Sequence, residues 1–242
     1  MKNARVYSES RELSLDQKNF LSLSLLLMLA LNFTLSYLTF TYYAETILDP
    51  ETPGFWINLA SYMVIFGIVL LNKKALRWNW SILGLARPKS LGRPLFTFIG
   101  CFAAILLLSQ FLVPSIIETF GEHRNISFIY TVKQDLSNLI LALTVVWITA
   151  AFIEELVFRA FLINSLDYLF GGNKISVWVA VILSSLIFGM IHSYQGITGI
   201  LITTFVGLIF GIGYIFNKRR ILPLILVHGI IDSLTLISVY NS

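Results

Sequence analysis

Seven blocks of apolar sequence, each long enough to cross a bilayer as a helix, leave this chain few ways to fold. They lie at about 20–44, 54–72, 95–113, 136–163, 175–192, 196–216 and 221–239. A bilayer core takes about 20 apolar residues in a helix, with a range of roughly 17–25. Lipid offers backbone amides no partner, so each block must satisfy its own as a helix. Composition agrees: of 242 residues 57% are hydrophobic and 12% charged, against about 25% charged in a soluble domain. A soluble protein with a large core is excluded, because the apolar residues come in long uncharged runs. The expected fold is an all-α polytopic membrane protein of seven transmembrane helices, with an eighth helix in Leu156–Phe170 as the alternative.

The loops supply a second constraint. Fifteen of the seventeen Lys and Arg residues fall on one set of alternate segments when Arg159 is counted as a flank; the exceptions are Arg124 and Lys133. The largest groups are Lys73, Lys74, Arg77, Arg87, Lys89 and Arg93, and then Lys218, Arg219 and Arg220. The positive-inside rule puts the N-terminus in the cytoplasm and the C-terminus outside. The first apolar block exceeds a secretory h-region and no small-residue cleavage site follows, so it reads as an uncleaved span. Trp78 and Trp80 beside basic residues, with Gly84-Leu-Ala-Arg-Pro88 following, suit an interfacial anchor on anionic lipid. No basic stripe interleaved with aromatics points to nucleic acid. Membrane lipid is the expected partner. The single cysteine, Cys101, permits no intrachain disulfide. The chain divides into a cytoplasmic segment (1–19), N-terminal spans (20–135) and a C-terminal bundle (136–242).

Chemistry concentrates in that bundle. An ionisable residue at a bilayer's centre costs at least about 2.5–3.5 kcal/mol and usually marks function. The fourth block carries Glu154, Glu155 and Arg159. Glu155 and Arg159 are four apart and share a helix face, so they can pair. Glu154 lies about 100° around the helix and is left to face a cavity. The fifth block ends in Phe188-Gly-Met-Ile-His192, again with i, i+4 spacing. The seventh holds His228 and Asp232, four apart in an otherwise apolar helix; such a pair is a metal-ligand set, a proton relay or a hydrogen-bonded glue between helices. Three helices thus offer an acid or a histidine to one bundle. A carboxylate with imidazole or metal assistance can activate water toward a peptide carbonyl. Ser184, Ser185, Ser193 and Ser233 lie nearby, but neither a G-x-S-x-G elbow nor an H-E-x-x-H motif occurs. Gly207-x-x-x-Gly211 reads as a close helix approach.

Glu154-Glu-x-x-x-Arg159, Phe188-x-x-x-His192 and His228-x-x-x-Asp232, in this order, resemble the CPBP family, which joins CAAX prenyl endopeptidases, bacteriocin-processing or immunity proteins and the Abi proteins. The resemblance covers about residues 136–240. It implies a membrane-embedded endopeptidase acting on a membrane-associated peptide or small protein, in a bacterial cell membrane. Glu154 is then the general base on water with His192 beside it, and His228 and Asp232 hold the oxyanion. Alternatively, His192 and His228 help to bind Zn2+ or another divalent metal. Glu155, Arg159 and Phe188 are supporting residues. The family's last motif often ends in asparagine; Asp232, if ionised, only accepts hydrogen bonds and suits a metal ligand or a partner of His228 better, whereas a protonated Asp232 could still donate. A non-proteolytic scaffold or immunity protein acting on a partner such as a sensor kinase is the alternative function. A proton-coupled carrier would need inverted repeats or paired half-helices, and neither is visible.

Overall fold

The computed structural model describes residues 13–43, 46–121 and 127–242. These form seven helices long and apolar enough to cross a membrane: α1 (Leu15–Tyr42), α2 (Pro53–Ala75), α3 (Gly92–Phe120), α4 (Leu136–Leu169), α5 (Lys174–Ile191), α6 (Gly196–Phe216) and α7 (Leu222–Tyr240). No strand occurs among the described residues. The seven expected spans are all present. Their ends move because capping, which hydropathy does not register, sets them. Ser14 accepts from the Gln17 amide while the Gln17 side chain accepts from the Ser14 amide; this capping box starts α1 several residues before its apolar block. Asn173 caps α5 in the same way, with Ser176 as its counterpart.

α3 continues to Phe120, past Pro114, where the apolar block ended. A proline inside a helix lacks a donor and collides with the carbonyl four residues earlier. A π-turn at Leu108–Leu112 precedes Val113–Phe120 and takes up that misfit.

α4 corrects the sequence reading most. Leu156–Phe170 is not an eighth helix; its first fourteen residues continue the fourth span, which runs unbroken to Leu169. As a regular α-helix its 34 residues would extend about 50 Å; the wide winding of Trp147–Leu162 shortens this but leaves it beyond the hydrocarbon core of about 30 Å. Arg159, counted above as a flanking charge, is therefore inside the bundle. Every residue from Ile153 to Leu162 is buried, as expected of a helix enclosed on all sides.

The projecting end of α4 gathers the basic loops. Asn164 donates to the Ile82 carbonyl at 2.7 Å and accepts from Arg219 at 2.7 Å. Asp167 pairs with Arg219 and accepts from Ser176. Tyr168 accepts from the Leu13 amide, and the Ile221 amide bonds to the Gly84 carbonyl at 3.1 Å. At the other end, Gln134 donates to the Tyr240 carbonyl and Thr198 to the Gly121 carbonyl. Alternate loops thus share an end, as the charge count requires. Lys2, Arg5, Arg11 and Arg124 lie outside the described residues.

Trp78 is a second correction. It is buried and packs edge-on to Phe161 at 6.1 Å, inside the core. Trp80 keeps the interfacial character expected of both, half exposed with Lys73 4.5 Å from its ring centre.

Candidate active site

The central part of α4, Trp147–Leu162, is wound wide with π-type hydrogen bonds, a form that recurs at functional sites. It turns its two glutamates toward different neighbours. Glu155 is 0% exposed and its Oε1 accepts from Arg159 at 3.0 Å. Arg159, 1% exposed, has its guanidinium 4.3 Å from the Phe188 ring centre and 5.1 Å from that of Phe210. A planar cation between aromatic faces gains electrostatic attraction where water is absent. The same Glu155 Oε1 lies 2.9 Å from His228 Nδ1, and His228 Nε2 faces Asp232 at 3.5 Å. α4 and α7 are thereby joined through a carboxylate shared by a guanidinium and an imidazole. Trp147 closes this side, lying over Gly229 and donating to Ser233.

Glu154 turns toward α1 and α2. It lines a cleft with Asn32, Ser36 and Thr39 of α1, Asn58, Ser61 and Tyr62 of α2, and His192 and Tyr194 beyond α5. Its Oε1 accepts from the Tyr62 hydroxyl at 2.9 Å. Its Oε2, equally buried, has no hydrogen-bond partner among the described residues. Glu155 Oε2 is likewise buried and unpaired, so what sets Glu154 apart is its place in the cleft lining, where an unpaired carboxylate oxygen can take water or substrate.

His192 caps the C-terminal end of α5. Its Nδ1 is 2.7 Å from the Phe188 carbonyl. A carbonyl only accepts, so Nδ1 carries the proton and Nε2 is the acceptor of the neutral ring. The Phe188 ring stands edge-on to His192 at 4.8 Å and also covers Arg159. Phe188 thus separates the cleft from the buried ion network while touching both.

Glu154 and His192 therefore meet in one cleft. The extension of α4 places Glu154 near the middle of its span and brings it level with the end of α5. His228 and Asp232 lie outside the cleft lining; His228 is held by Glu155 and faces Asp232 on its other ring nitrogen. Ser184 and Ser185 donate to the Phe158 and Val181 carbonyls, and Ser233 to that of Gly229. Each of these three hydroxyls is spent on backbone, the usual role of serine in apolar helices.

Among the described residues no three His, Cys, Asp or Glu side chains converge as a ligand set. His228 faces a carboxylate at each ring nitrogen, whereas His192 holds Nδ1 on the Phe188 carbonyl, the arrangement in which an imidazole ligates through Nε2.

Six of the polar cleft residues, Asn32, Ser36, Thr39, Asn58, Ser61 and Tyr62, come from spans without a recognised motif. Their signal was present. Asn32, Ser36 and Thr39 recur at i, i+4 and i+7, and Asn58, Ser61 and Tyr62 at i, i+3 and i+4, so each set lies on one helical face. They are neutral, and a search for ionisable residues passes over them.

A carboxylate and an imidazole in one polar cleft are groups that can activate water inside an apolar bundle. Residues 136–234 match the family model described as type II CAAX prenyl endopeptidase Rce1-like, in agreement with the resemblance of the late spans to CPBP intramembrane proteases. No curated protein and no solved structure matches the chain.

Proposed function

We propose that the protein hydrolyses a peptide bond in a membrane-associated peptide or small protein, with water activated by Glu154 and held by His192. The observation that carries this reading is the Glu154 carboxylate, anchored at Oε1 by Tyr62 with Oε2 unpartnered, in a cleft shared with His192. The family match supports the endopeptidase class.

Water in the cleft donates one hydrogen bond to Glu154 Oε2 and the other to His192 Nε2, which aims its lone pair at the scissile carbonyl carbon. Glu154 takes the proton as the new C–O bond forms. When the tetrahedral intermediate collapses, the C–N bond breaks and the Glu154 acid returns the proton to the departing amine. General base assistance of this type contributes typically about 10²–10⁴-fold. Glu155 and Arg159 neutralise one another, so Glu154 is the acid left for chemistry. His228, held by Glu155, fixes α7 against α4, and Asp232 completes its setting.

The test is to incubate purified wild type, Glu154→Gln and His192→Ala with membrane peptides from the host, with and without chelator, and to identify products by mass spectrometry. Wild type yields defined cleavage products that survive the chelator; both variants lose them while still inserting and folding. Cleavage retained in both variants contradicts the mechanism. A deletion phenotype complemented by Glu154→Gln supports the scaffold reading instead.

A further inference from the structure

We infer that Tyr62 is a positioning residue for Glu154, supplied by a helix outside the segment that matches the protease family. The inference rests on Glu154 being the base proposed above. The terminal torsion of a glutamate is broad and roughly two-fold, so an unanchored carboxylate samples many orientations about its last bond. The Tyr62 hydroxyl holds Oε1 at 2.9 Å and so leaves Oε2, buried and without a hydrogen-bond partner among the described residues, as the oxygen for water or substrate. At 2.9 Å the contact is an ordinary O–H···O hydrogen bond in length, made to a carboxylate that is itself buried.

The placement of α2 supports this role. Tyr62 lies 74 positions before residue 136, where the family match begins. α2 is braced against α1 by the Ser24 hydroxyl, which donates to Asn72 Oδ1 at 2.7 Å. It meets α4 again where Phe66 approaches Phe152, with ring centres 6.3 Å apart. The phenol is thus delivered from a helix fixed on two sides, as a group that orients a base must be. The bland alternative is a hydrogen bond that only glues α2 to α4. Tyr62→Phe keeps the ring, Ile65 and the Phe66 contact, and removes the hydroxyl alone.

The test uses full-length wild type, Tyr62→Phe and Glu154→Gln in detergent, with thermal melting to confirm that each is folded. On the host membrane peptide that wild type cleaves, Tyr62→Phe lowers kcat by about 10–100-fold, the scale of a misoriented group, while KM stays within about two-fold. An independent readout needs no substrate: infrared spectra of protein carrying 13C-labelled glutamate. The carboxyl band missing from Glu154→Gln is assigned to Glu154, and it shifts in Tyr62→Phe. A wild-type kcat, or an unmoved band, overturns the assignment. Cleavage retained by Glu154→Gln defeats the proposed function and with it the positioning role, since the band then reports only that the hydrogen bond forms.

Discussion

Glu154 and Glu155 are neighbours in sequence and opposite in circumstance. Glu155 pairs through Oε1 with Arg159 and His228, away from the cleft, whereas Glu154 lines the cleft; each keeps a buried Oε2 without a hydrogen-bond partner among the described residues. The two substitutions should therefore fail differently. Glu155→Ala leaves a buried guanidinium without its counter-charge, a change that costs about 3–5 kcal/mol; thermal unfolding in detergent should show a large drop. Glu154→Gln keeps a neutral acceptor for Tyr62, so it should melt near wild type while losing cleavage. Arg159→Lys is not conservative, because an ammonium cannot lie flat between Phe188 and Phe210 while pairing with Glu155. It should melt well below wild type in the same assay. The sequence made the Glu155–Arg159 pair legible through i, i+4 spacing. It did not show that His228 joins that pair, because the contact lies across 73 residues of chain and no local period encodes it.

At the scale of the element, periodicity and length were informative and helix ends were not. Seven apolar blocks gave seven helices, but polar caps such as Ser14 with Gln17 moved a boundary that hydropathy drew at Phe20. The continuation of α4 was hidden because Leu156–Phe170 mixes Arg159, Asn164 and Asp167 into apolar sequence. Those groups are satisfied by Glu155, Tyr214 and Arg219, partners that come from the fold. The glycine spacing of α6 was legible. A Cβ on Gly207 would meet the Ser185 backbone at 3.0 Å, and one on Gly211 would meet Val181 at 2.8 Å, so α5 and α6 touch through these positions. Gly211→Leu should destabilise the protein by about 1–3 kcal/mol through overpacking. Gly67→Ala has open space around it and should be neutral or raise stability by about 1 kcal/mol through helix propensity. Paired melts of the two variants check both.

For the whole molecule, the basic loops gather around the projecting end of α4, and the first two spans provide one wall of the cleft. The motif-bearing segment is thus not the whole site. An odd number of spans puts the two termini on opposite faces, and the charge bias predicts the loop carrying Lys89 to be cytoplasmic. In a Cys101→Ala background, single cysteines at Lys89 and at Glu51 should react with an impermeant maleimide from opposite sides, with Glu51 labelled from outside. Labelling of both from one side contradicts the topology.

In the proposed reaction water, activated by Glu154, attacks the peptide carbonyl directly. A single turnover in 18O-labelled water, followed by mass spectrometry of products and of the digested enzyme, tests this step. Direct attack places one 18O in the new C-terminal carboxylate and none in the enzyme peptide that contains Glu154. Label in that enzyme peptide would mean that Glu154 attacked the substrate itself through an acyl-enzyme, and would contradict it.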